Sequence, residues 1–142
     1  MIEDRPTGIP EGFEQLPARG PFFDVNGPMW RRQATHSAPL SFGFLPEPRH
    51  TNSLGFVHGG MICAFLDSAL AQTLVDRFHC RLVTRELNIS FQNAIPKGRW
   101  AETIPEIGLR LDDDTITATA DLIARKQICA SAVGVFRLFP DK

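Results

Sequence analysis

The stretch from His50 to Val75 reads HTNSLGFVHGGMICAFLDSALAQTLV, and the rest of the chain has to fold around it. A polar loop, His50-Thr51-Asn52-Ser53, passes Gly55 and reaches His58-Gly59-Gly60. Beyond the glycines, Met61, Ile62, Phe65, Leu66, Ala69, Leu70, Leu74 and Val75 recur at the spacing of one helix face. This predicts a helix from about Gly60 to about Arg77. One carboxylate, Asp67, sits inside the run. On a helical wheel its nearest neighbours are Gly60, Leu74, Ala71, Cys63 and Ala64, all apolar and mostly small. A carboxylate on such a face is expected to lose hydration, which raises its pKa and suits it to act as a base or nucleophile.

The first N–H groups of a helix have no internal partner, and the helix dipole adds positive charge there. Gly59 and Gly60 put no side chain over that end, so a ligand oxygen gaining negative charge can reach the backbone donors. Asp67 lies eight residues beyond Gly59, about 12 Å along a regular helix. Reacting atoms must approach to about 3–3.5 Å. A second, antiparallel copy of the helix across a two-fold axis brings one protomer's acid to the other's helix start. The spacing therefore predicts a homodimer with a shared site.

The pattern Asn52-x5-His58-Gly59-Gly60-x6-Asp67, with Gly55 inside it, resembles the signature of hotdog-fold acyl-CoA thioesterases of the phenylacetate-degradation (PaaI-like) type. The likeness runs from about Phe42 to Phe139. It implies an α+β hotdog fold, a long central helix wrapped by a curved antiparallel sheet. It further implies that Asp67 does the chemistry across a dimer interface, with the Gly59 N–H polarising the thioester carbonyl. By the same resemblance Asn52 binds that carbonyl or the attacking water, and Thr84 positions water near the acid. His58 mainly supports the turn, with catalysis its alternative. Gly60, Cys63 and Phe65 are carried as substrate contacts, although core packing is the commoner fate of a helical Phe. No cofactor is implied beyond the coenzyme A of the substrate. Whether Asp67 is base or nucleophile stays open, as do dimer and dimer of dimers. Two other readings of the fold remain: a non-enzymatic acyl-CoA-binding or regulatory protein, and a hydratase or dehydratase using His58.

The 142 residues suit one domain, with 43% hydrophobic content and a formal charge of -1. No basic block marks a nucleic-acid or anionic-membrane partner. MIEDRPTGIP lacks the charged and apolar regions of a signal peptide, no apolar run is long enough to span a bilayer, and the expected compartment is the cytoplasm. Cys63, Cys80 and Cys129 are expected as free thiols, and no His or Cys spacing suggests a metal.

Eight of the eleven prolines precede residue 49. Residues 1–22 read as a Pro/Gly-rich arm, with a helical turn possible at Glu11–Leu16, and 23–142 as the folded domain. One or two strands are expected before the helix, Phe42–Glu47 the clearer. Four follow it: Val83–Phe91 with its odd positions inward and Arg85 the exception, Trp100–Leu111 interrupted by Pro105, Thr115–Ala124, and Ile128–Leu138. The inner positions of the last two strands, from Ile116 to Ala124 and from Ile128 to Leu138, are mostly small. Lys97, Arg99, Arg125 and Lys126 lie on turns and are weak candidates for the coenzyme A phosphates.

Overall fold

The computed structural model describes residues 6–140. In chain order the elements are β1 (Glu14–Gln15), α1 (Pro21–Asn26), β2 (Trp30–Arg32), β3 (Ser41–Phe44), a 3-10 turn (Pro48–His50), α2 (Gly59–Phe78), β4 (Arg81–Phe91), β5 (Ala101–Thr103), β6 (Glu106–Arg110), β7 (Thr115–Ala124) and β8 (Gln127–Phe139). The strands form one antiparallel sheet in the order β1-β2-β3-β5-β7-β8-β4, with β6 beside β7. This is the α+β hotdog architecture that the motif implies, a curved sheet around one long helix.

Helix α2 starts and ends close to where its periodicity places it, and Met61, Ile62, Phe65, Leu66, Ala69, Leu70, Thr73 and Leu74 are buried. The facing positions of the sheet are small: Ala118, Ala120, Ala130, Ala132 and Gly134 are all buried. A β-carbon at Gly134 would lie 2.4 Å from the Phe136 ring and 3.1 Å from Leu70. The missing side chain is thus what lets the helix lie close against β8.

Two strands differ from the simple alternation. In β4 the register shifts between Thr84 and Glu86, leaving Arg85 as a bulge. Before the bulge Leu82 and Thr84 pair with the inward Leu138 and Phe136; after it Leu87 and Ile89 pair with the inward Gly134 and Ala132. The expected alternation, with Arg85 its one exception, therefore also fails at Val83, which is 50% exposed, because one extra residue flips the face. A second shift, between Leu122 and Ile123, sets Ile128 outward at 40% exposed and buries Cys129 instead.

The strand expected over Trp100–Leu111 is two. Pro105 has no N–H for the ladder; β5 before it pairs with β3 and β7, and β6 after it pairs with β7. Glu11–Leu16 is not helical but turns into β1, which pairs with β2. Phe13 is buried edge-on against Trp100, ring centroids 4.9 Å apart, with the Arg32 guanidinium 4.8 Å above its ring. Helix α1 was not legible, because six residues opened by Pro21 are too few to show a period.

His50 ties this architecture together. It is buried, and its Nδ1 accepts the Glu47 N–H at 3.0 Å. Nε2 then carries the proton and lies 2.6 Å from the Asn26 carbonyl at the end of α1. Its own carbonyl accepts the His58 N–H at 2.8 Å. The ring is edge-on to Phe44. Burial pushes its pKa below the ordinary histidine value, with Arg49 adding in the same direction. The neutral ring is the folded form, so its contribution is fully present above about pH 6.5 and is lost as pH falls through the lowered folded pKa. Stability is expected to fall on acidification below about pH 6.5, by at most about 1.4 kcal/mol per pH unit from this group, and the melting temperature with it. Thermal melts of wild type and His50→Gln across pH 5–8 check this. A wild-type curve as flat as the variant's removes His50 as the cause.

Candidate active site

The start of α2 is capped by a histidine. His58 has extended backbone angles (φ -61, ψ 136), and its Nδ1 accepts the Gly60 N–H at 2.8 Å. Its carbonyl accepts the Met61 and Ile62 N–H groups at 2.9 and 3.1 Å. A β-carbon at Gly60 would stand 3.0 Å from that Nδ1, so glycine here leaves room for the imidazole. The Gly60 N–H is therefore occupied. The Gly59 N–H precedes the helical ladder and has no acceptor among the described residues.

Asn52 holds the loop before the helix. Its Oδ1 accepts the Leu54 and Phe56 N–H groups at 3.0 and 3.2 Å. Its backbone N–H donates to Phe56 at 2.8 Å, and its carbonyl accepts from Gly55 at 3.0 Å. Gly55 takes φ +81, which suits glycine. With the oxygen committed to the turn, the exposed Nδ2 is left pointing away from those bonds as a donor, with no acceptor among the described residues.

Asp67 is half-buried on the small-residue face of α2, and its Oδ1 accepts the Thr84 hydroxyl at 2.6 Å. The two residues are 17 apart in sequence. They meet because β4 returns antiparallel beside α2 and its bulge begins just after Thr84. Oδ2 has no partner among the described residues. Cys63, one turn earlier, has its thiol pKa pushed up by burial first and by the Asp67 charge as well. Phe65 is fully buried, packed on Phe44 with ring centroids 4.7 Å apart, so it belongs to the core. Lys97, Arg99, Arg125 and Lys126 are exposed. Among the described residues no three metal-ligating side chains gather, and no helix is long and apolar enough to cross a membrane.

The site is open on one side. Within one protomer α2 is continuous from Gly59 to Phe78, which keeps Gly59 and Asp67 apart. Beside them β4 is an edge strand of 11 residues, paired with β8 on one side only. Sequence reasoning missed the Leu16, Phe23 and Met29 side chains, which border the same helix face. They come from a segment without periodicity, and nothing in their pattern marks them.

A family model described as thioesterase superfamily matches residues 54–107. Among solved structures, the TT0310 protein of Thermus thermophilus is 25% identical, covering 85% of this chain and 100% of its own, with a TM-score of 0.69. The Escherichia coli PaaI protein from the phenylacetic acid degradation operon is 13% identical over 72% of this chain and 74% of its own, with a TM-score of 0.67. The smu.793 protein of Streptococcus mutans UA159, solved bound to acetyl CoA, is 15% identical over 100% of this chain and 98% of its own, with a TM-score of 0.69. No curated protein matches the sequence. The chain has the hotdog fold, and it resembles the thioesterase superfamily. A PaaI protein is among the structures that share this fold.

The cap makes a prediction. His58→Ala removes an N-cap acceptor and should cost about 0.5–2 kcal/mol of stability, whereas His58→Asn restores an oxygen in its place and recovers most of it. Urea unfolding of the two variants checks this; equal losses exclude the capping role.

Proposed function

We propose that this protein is an acyl-CoA thioesterase that works as a two-fold dimer. The observation that carries the reading is the 2.6 Å Thr84–Asp67 hydrogen bond, which orients a half-buried carboxylate and leaves Oδ2 free. The superfamily match over 54–107 and the acetyl CoA in a protein of the same fold support the substrate class. The free edge of β4 and the small residues of α2 (Gly60, Cys63, Ala64, Asp67, Ser68, Ala71) favour close approach of a second copy.

In this reading Asp67 of one protomer faces Gly59 of the other. The Gly59 N–H and Asn52 Nδ2 donate to the thioester oxygen. Asp67 Oδ2 takes a proton from water as that water attacks the carbonyl carbon, and the negative charge gathers on the oxygen held by those donors. The tetrahedral intermediate collapses, the C–S bond breaks, and the proton on Asp67 passes to the departing thiolate. Direct attack by Oδ2, giving a mixed anhydride that water then opens, uses the same geometry. His58 does not enter either route, since its Nδ1 is engaged by the Gly60 N–H in the cap.

Release of free CoA from a panel of acyl-CoAs tests this. Asp67→Asn should lower kcat by about 10²–10⁴-fold, and Thr84→Val by roughly tenfold to a hundredfold through loss of orientation. Retained turnover in Asp67→Asn sinks the mechanism. The dimer has its own test. If residue 67 lies beside residue 59 of an antiparallel copy, residue 63 lies beside its own copy. Cys80 and Cys129 are buried and Cys63 is only half-buried, so a short bismaleimide should join two protomers and Cys63→Ser should abolish the link. A monomer by light scattering, with no cross-link, overturns the shared site.

A further inference from the structure

A groove of about 870 Å³ opens along α2 on the side of Asp67. Its floor is Ser68, Ala71, Gln72 and Val75, which lie one, four, five and eight residues past Asp67 on the half-buried helix face. One wall is the start of β4, where Leu82 stands two residues before Thr84. The other wall is the N-terminal segment, through Leu16, Phe23 and Met29. That wall is anchored: the Leu16 N–H donates to Met29 at 2.9 Å, and the Arg49 guanidinium donates to the Val25 and Gly27 carbonyls and pairs with Glu47 at 2.7 Å. The charged Arg19, Asp24 and Arg81 are exposed at the rim.

We infer that this groove is the subsite for the acyl group, and that the N-terminal wall selects bulky apolar acyl chains. The inference rests on the proposed thioesterase site, from which the groove leads off. Three observations carry it. The groove begins at the residue after Asp67, so a thioester carbon held at Oδ2 has its substituent at the groove mouth. The inner lining is apolar (Leu16, Phe23, Met29, Ala71, Val75, Leu82), which suits an alkyl or aryl chain better than the amides and phosphates of coenzyme A. The volume falls in the range of small-molecule sites and far exceeds the need of an acetyl group. An antiparallel second copy that sets its Gly59 beside Asp67 also carries its Asn52–Val57 loop along Ala71 and Val75, as a roof.

The test is a selectivity ratio, kcat/KM for octanoyl-CoA over acetyl-CoA. Wild type should favour octanoyl-CoA. Ala71→Phe, which fills the groove near its mouth, should lower the ratio at least tenfold, the scale on which apolar pockets discriminate chain size. Phe23→Ala, which opens the wall, should shift preference toward still longer chains, and it carries the test if Ala71→Phe does not fold as judged by circular dichroism. An unchanged ratio in a folded variant, or an equal fall for both substrates, overturns the inference; the second result assigns the groove to coenzyme A or to the other protomer. If wild type hydrolyses nothing, the thioesterase reading fails by itself. The groove is then judged by calorimetric Kd values of Asp67→Asn for octanoyl-CoA against free CoA. At least tenfold tighter octanoyl-CoA binding that is lost on adding Ala71→Phe supports it, and equal values reject it.

Discussion

Close packing of α2 against a sheet whose central facing positions are alanine and glycine is the constraint on which this structure depends. A helix with its side chains is about 10–12 Å across, and the strands curl closely around it where their inward side chains are short. Alanines at 118, 120, 130 and 132 and glycine at 134 supply that space, and Phe136 and Leu70 fill what remains at Gly134. The same close approach brings β4 alongside the helix, and so brings Thr84 to Asp67. The pair on which the proposed chemistry rests is therefore a by-product of how tightly the helix is held.

Two histidines do different structural work at the other end of the helix. His50 is buried and joins the end of α1, the Pro48–His50 turn and the backbone at His58. His58 is exposed and satisfies the Gly60 N–H. Together they fix the loop that carries Asn52 and deliver Gly59 with its N–H unpaired. A helix start usually finds acceptors for its first donors. Here one donor is capped and the one beside it is left, which is the arrangement the proposed polarisation of a carbonyl calls for. It also argues against His58 as the base of a hydratase, since the imidazole nitrogen nearest the helix is already used.

The motif from Asn52 to Asp67, the helix and the alternating strands are legible in the sequence, because period and glycine placement are local properties. Thr84 is legible by resemblance alone; as a residue it reads as an ordinary strand former. Its partner bond depends on the bulge at Arg85, and the sequence shows that bulge only as one break in alternation. The flip at Val83 and the exchange of Ile128 for Cys129 have the same origin. A single extra residue in a strand reverses every face beyond it, and only pairing with a neighbour shows where the extra residue goes.

By itself, then, the sequence determined the helix, its acid, its glycine-rich start and the alternating strands that follow, since each is written in the spacing of nearby residues. The tertiary structure alone decided which face Thr84 took, that the Gly60 N–H was spent on His58 while that of Gly59 was not, and that a proline-rich segment became the wall of a groove. The first and last of those outcomes join residues from 17 to more than 50 positions apart. No local pattern encodes such distances, because the chain's return path is set by how the sheet closes on the helix.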